Sequence, residues 1–136
     1  MKSSWVVRIV AGVVLLLLSF SLAGCGSSAQ GKVVDEIMRH LAAHDSAAAF
    51  EHMSSVAKDS GVTADGLNAF ITDYATLIDG YRDLSVTNMS ISTSEGVSTT
   101  EMTGTFDYED GSSGTFEALL HKEGDMWMIT VLNIEK

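Results

Sequence analysis

The chain has 136 residues, with 18 Asp and Glu against 8 Lys and Arg, for a formal net charge of −10. An acidic field of this size opposes nucleic acid and anionic lipid headgroups, which both need a surplus of positive contacts, so no nucleic-acid partner is expected. A single cysteine excludes an intrachain disulfide, and stability has to come from a hydrophobic core.

The amino-terminal segment has the parts of an export leader. Lys2 and Arg8 form a basic end, and Ile9 to Leu18 is an apolar core of signal-peptide length. The uncharged stretch runs on to Gln30, long enough for an uncleaved membrane helix; the small Ala23 and Gly24 argue for cleavage instead. Leu22-Ala23-Gly24-Cys25 resembles the lipobox of bacterial prolipoproteins. That resemblance implies thioether lipidation of Cys25, cleavage between Gly24 and Cys25, and a second acyl chain at the new amino terminus, since one chain holds only weakly. Residues 1–24 are thus expected to be a signal peptide and 25–32 a lipidated cysteine on a flexible tether. Residues 33–136 are expected to be one domain. Removing 24 of the 136 residues leaves 112 and takes Lys2 and Arg8 with it, so the net charge becomes −12. The expected location is a cell membrane or outer membrane, with the domain facing away from the cytoplasm.

From Val33 to about His44, Val34, Ile37, Met38 and Leu41 recur at helical spacing opposite Asp35, Glu36, Arg39 and His40. Asp45 or Ser46 is suited to cap a short continuation through Met53, which Lys58 to Gly61 ends. A further helix starts after Thr63, with Leu67, Phe70, Ile71, Tyr74, Leu77 and Ile78 as its apolar stripe and Gly80 as its stop.

From Leu84 the period changes to two, and four strands are predicted over 84–93, 97–109, 113–122 and 126–135. A three-residue loop at Asp110-Gly111-Ser112 sets Phe106 opposite Phe116, Gly104 opposite Ala118 and Met102 opposite Leu120. A turn at Glu123-Gly124 sets Leu120 opposite Trp127, Ala118 opposite Ile129, Phe116 opposite Val131 and Leu119 opposite Met128. The first strand changes phase near Asn88, which predicts a bulge. An apolar sheet face needs a helical cover, giving an α+β fold of amino-terminal helices on a curved four-stranded antiparallel sheet.

This layout, with a Tyr108-Glu109-Asp110-Gly111 hairpin and a last strand reading Trp127-Met128-Ile129, resembles the nuclear transport factor two-like superfamily, a cystatin-like cone. Its small bacterial lipoproteins are the nearest in pattern. The resemblance implies a pocket between sheet and helices, here lined by Phe70, Tyr74, Phe106, Phe116 and Trp127. It also implies frequent homodimerisation through the other sheet face, and many unrelated functions. Enzymes of that superfamily place a carboxylate or a His and Asp pair in the pocket. Here Asp107, Glu117 and His121 fall on the opposite strand phase, and Asp73 and Asp79 lie off the apolar helical stripe. No catalytic residues and no cofactor are therefore expected.

Glu36, His40 and His44 are spaced by four and share a helix face, a pattern that suits either metal ligation or a plain solvated face; without a fourth ligand, no metal is expected. Leu119, Met126, Met128 and Leu132, with Ile134, point to the second sheet face and suggest an interface for a homodimer or envelope protein partner. The favoured reading is a membrane-anchored, non-catalytic binding or protein-interaction module. The alternative is a small-molecule carrier or weak enzyme using the pocket.

Overall fold

The computed structural model describes residues 28–136. The predicted signal peptide, Gly24 and Cys25 lie outside the described residues. Helix α1 spans Ala29–Ala42 and begins where the Ser28 side chain accepts the Gly31 N–H at 3.0 Å. Ala29 to Lys32, the last four residues of the predicted tether, are therefore the first turn of a helix whose Gln30 and Gly31 are buried. Val34, Ile37, Met38 and Leu41 form the buried stripe of α1.

After His44, at φ +59°, Asp45 caps α2 (Ser46–Glu51) by accepting the Ala48 N–H at 3.1 Å. The helical continuation ends before Met53. Ile129 donates its N–H to the His52 carbonyl, and Ser54 donates its N–H to the Ile129 carbonyl, both at 2.7 Å, so 52–54 runs beside a sheet edge. Ser54 then caps a further short helix, α3 (Ser55–Asp59). Thr63 caps α4 (Ala64–Asp73) as predicted, but Tyr74, at φ −120° and ψ 32°, breaks the run and leaves α5 (Ala75–Ile78) as a separate turn.

Strands β1 (Tyr81–Ser94), β2 (Val97–Tyr108), β3 (Ser113–Glu123) and β4 (Met126–Glu135) form one antiparallel sheet in chain order. The phase change in β1 is a bulge at Thr87, between Val86 and Asn88. The β2–β3 loop has the predicted length but sits one residue earlier. Tyr108 donates its N–H to the Ser112 carbonyl around Glu109-Asp110-Gly111, and the Asp110 side chain accepts the Ser112 N–H. One residue in the loop is two in the ladder, so Phe106 faces Gly114, Gly104 faces Phe116 and Met102 faces Ala118. A slip of two keeps every side chain on its own face.

The β3–β4 turn also moves by one residue, pairing Glu123 with Met126 and Leu120 with Ile129. A second bulge, at Thr130, then reverses the phase of β4, so Leu119 faces Val131, Ala118 faces Leu132 and Phe116 faces Ile134. Leu132 and Ile134 therefore leave the predicted interface and join the helix-facing side; Val131 takes the reverse path.

The core lies between α1 and the inner sheet face. Phe106 and Phe116 stack with ring centroids 4.5 Å apart, and Tyr81 meets Phe106 edge-on at 5.3 Å. Burying each of these rings stabilises the fold by about 1.5–3 kcal/mol. The middle and last turn of α1 are tied to the start of β1 by the Tyr81 hydroxyl, which donates to Asp35 at 2.6 Å, and by Arg39, which donates to the Arg82 carbonyl at 3.0 Å. Burial pushes the Tyr81 hydroxyl well above its ordinary pKa, so it stays a donor to Asp35.

Candidate functional site

A cleft of about 580 Å³ opens between α4–α5 and the inner sheet face. Phe70, Tyr74 and Leu77 form its helical wall, and Phe116, Leu132 and Ile134 form its strand wall. The Tyr74 break positions the first wall. It sets Phe70 and Tyr74 side by side, with ring centroids 5.1 Å apart, and leaves Tyr74 51% exposed at the mouth rather than inside the core. Gly104 opens the strand wall, because a residue with a side chain there would occupy the space that the Phe116 ring fills.

Of the five residues predicted to line a pocket, the structure brings Phe70, Tyr74 and Phe116 together in this cleft. Phe106 is fully buried behind Phe116 and reaches no cleft surface. Trp127 lies near the β3–β4 turn, opposite Lys122, whose ammonium stands 5.9 Å from the indole ring. Sequence reasoning misses Leu77, Leu132 and Ile134. The last two are hidden by the Thr130 bulge, for which the only signal is the run of apolar residues on both phases of β4.

The lining of the cleft combines apolar side chains with threonines and a few ionisable groups. Its ionisable groups are Tyr74, Glu117 and Glu135, and both carboxylates alternate along their strands with the inward Phe116 and Ile134. Tyr108, behind the cleft, donates its hydroxyl to the Leu77 carbonyl, and burial raises its pKa, so this hydroxyl serves to hold α5 on the sheet.

The histidines predicted on one face of α1 are divided among different partners. His40 stacks on His52 at 5.2 Å, while His44 Nε2 lies 2.9 Å from Asp79 Oδ1. Glu36 Oε2 stands 3.7 Å from His52 Nε2, and burial holds His52 below its ordinary pKa. Among the described residues, no group of three or more His, Cys, Asp or Glu side chains is placed to hold a metal ion. None of the described helices is long and apolar enough to cross a membrane.

The outer sheet face carries a second hollow of about 580 Å³, with Leu119 and Val131 at its apolar centre and Asn88, Glu101, Glu117 and Asn133 around them. Leu119 and Met128 keep their predicted outward phase, and Met126 is exposed at the β3–β4 turn.

No protein-family model matches this chain, and no curated protein matches its sequence. Solved structures do. One is a Campylobacter jejuni protein named as an NTF2-like transpeptidase, with a TM-score of 0.54 and 9% identity over 72% of this chain and 94% of that one. Another is Aln2 from a Streptomyces species, with a TM-score of 0.50 and 14% identity over 77% of this chain and 85% of that one. Together with the helices packed on a four-stranded antiparallel sheet, this likeness defines the domain as an α+β cone of the NTF2-like fold. The fold hosts both ligand-binding proteins and enzymes, so what this chain does has to be argued from its own cleft.

Proposed function

We propose that this protein is a membrane-tethered, non-catalytic binding module, lipidated at Cys25, whose helix–sheet cleft accepts an apolar ligand or an apolar side chain of a partner. The observation that carries the reading is the composition of the cleft. Phe70, Leu77, Phe116, Leu132 and Ile134 supply apolar surface, Tyr74 supplies a hydrogen-bonding group at the mouth, and the carboxylates of the rim belong to the outer face. Proton-transfer chemistry needs a base held inside such a cleft within hydrogen-bond reach of the reacting atom, and the residues of the inner walls offer none. A lipid on Cys25 would confine the module to one membrane surface and raise its local concentration there.

The reading is tested with the full-length protein in mild detergent, using Nile red as an apolar probe. Wild type is expected to bind the probe saturably. Leu132→Trp, which places a larger side chain in the cleft, should weaken binding at least about tenfold, a loss of about 1.4 kcal/mol, with an unchanged circular dichroism spectrum. Equal binding by the two proteins would reject the cleft as the site.

A second reading has its own observation. Leu119, Val131 and Met128 share the outer face, which suits a partner protein laid over the sheet. Leu119→Asp would then abolish partner capture while leaving Nile red binding unchanged.

A further inference from the structure

The anchor end and the acidic end of the domain are opposite ends of the sheet. The first described residue, Ser28, is three positions after Cys25, and a chain of three residues spans at most about 11 Å. Two residues further on, Gln30 is buried and donates from Nε2 to Thr100 Oγ1 at 3.4 Å. Thr100 lies in β2 three positions after Ser94-Glu95-Gly96-Val97, where β1 turns into β2. Helix α1 then runs away from that turn, because Asp35 in its middle and Arg39 in its last turn meet Tyr81 and Arg82 at the start of β1. The described chain therefore begins on the side of the sheet where the β1–β2 hairpin turns, and a lipid on Cys25 would lie within about 11 Å of that beginning.

That hairpin is unlike the rest of the surface. Its outer half projects beyond the helices, with every residue from Thr87 to Val97 exposed. From Leu84 to Thr100 the only charged residue is Glu95; the remainder are Ser, Thr, Asn, Gly and apolar residues. Met89, Ile91 and Val97 present large side chains to solvent, with Ile91 at 57% and Val97 at 47% exposure. At the far end, Asp79, Asp83, Asp107, Glu109, Asp110 and Glu135 gather around the β2–β3 loop and the start of β1, where six acidic groups outnumber the three basic ones, Arg39, Arg82 and Lys136.

We infer that the tip of the β1–β2 hairpin is the membrane-facing surface of the domain, with Ile91 and Val97, on opposite faces of the hairpin, resting in the interfacial layer of the bilayer that holds the Cys25 lipid. The inference rests on the lipidation proposed above. An anionic headgroup layer repels the acidic end and tolerates an uncharged one, so the charge distribution and the position of the chain end select the same orientation. Exposed Ser and Thr hydroxyls suit a zone that is half water and half headgroup. Two apolar side chains add modest affinity of their own and act by orienting a domain that the lipid already retains. With the hairpin down, the cleft and the outer face stand beside the membrane, open to partners from the side.

The test uses the full-length protein, processed in a bacterial host and reconstituted in vesicles of phosphatidylethanolamine and phosphatidylglycerol. Cys25 is the only native cysteine, so once it carries lipid a second cysteine is the only free thiol. Ile91→Cys, Val97→Cys and Glu109→Cys are labelled separately with an environment-sensitive nitrobenzoxadiazole dye, and intact mass reads the lipid on Cys25. Labels at 91 and 97 should show blue-shifted emission and quenching by lipids brominated in the acyl chain, while a label at 109 should show neither. Lipidated protein whose labels at 91 and 97 are as wet as the label at 109 would overturn the orientation and leave the anchor standing. Protein without lipid on Cys25 would overturn both.

Discussion

Phe116 occupies the space that a side chain at Gly104 would need: a Cβ at residue 104 would stand 2.6 Å from Phe116 Cε1 and also meet the Ser85 carbonyl. This pairing supports the β2–β3 register together with Gly114, which faces Phe106 and lies against the Tyr108 ring. Gly104→Ala should therefore destabilise the domain by about 1–3 kcal/mol through overpacking. Gly111→Ala has open space around it and bears only the strain of φ +85°, about 1–2 kcal/mol. Urea unfolding checks both. The distinguishing result is a Phe116 ring displaced in the first variant alone, read by aromatic NMR shifts; an unmoved ring at wild-type stability would contradict the register argument.

The bulge that redirects Leu132 and Ile134 is held by side chains. Thr130 Oγ1 lies 2.7 Å from Ser54 Oγ and 2.6 Å from His121 Nδ1, so one hydroxyl joins the segment before α3, β3 and the bulge. Thr130→Val keeps the shape and removes both hydrogen bonds, and should cost about 1–2 kcal/mol in urea unfolding. Thr99→Val removes only an exposed hydroxyl pair with Ser92 and should cost less than about 0.5 kcal/mol. Equal costs would mean that the bulge is fixed by backbone alone.

His52 gives the stability a pH dependence. Burial between α1 and α2 lowers its pKa in the folded state below the ordinary 6.5, with Glu36 and Glu51 opposing and His40 reinforcing the shift. In the unfolded chain the imidazole binds its proton more readily, so the contribution of His52 is fully present above pH 6.5 and is lost as pH falls through the folded value. The urea midpoint should drop between about pH 7.5 and about pH 5.5, and His52→Phe, which keeps the ring stack on His40, should reduce that drop. An identical drop in both proteins would assign the effect to other groups.

The helix-then-sheet order, the four strands and the β1 bulge are legible in the sequence because each rests on periodicity or on residue types with strong backbone preferences. The start of α1 is not, because Ser28 closes a cap in a Gly- and Ser-rich stretch that has no apolar period. Turn position is legible only to one residue. Asp110-Gly111 serves equally well at the first or second place of a three-residue loop, and the choice falls to the Gly104–Phe116 contact, which is tertiary. The same limit divides the cleft. Phe70, Tyr74 and Phe116 follow from phase, whereas Leu132 and Ile134 depend on a bulge whose cause, the Ser54–Thr130–His121 contact, joins residues 76 positions apart.

The central claim is that this binding domain works while tethered by Cys25, and the most direct measurement compares wild type with Cys25→Ser expressed in a bacterial host. Wild type should appear in the membrane fraction with a mature amino terminus at residue 25 that carries thioether-linked lipid, read by mass spectrometry of the amino-terminal peptide. Cys25→Ser should carry no lipid and retain the 24-residue leader. Cleavage and lipid-dependent membrane retention of Cys25→Ser equal to wild type would contradict the account.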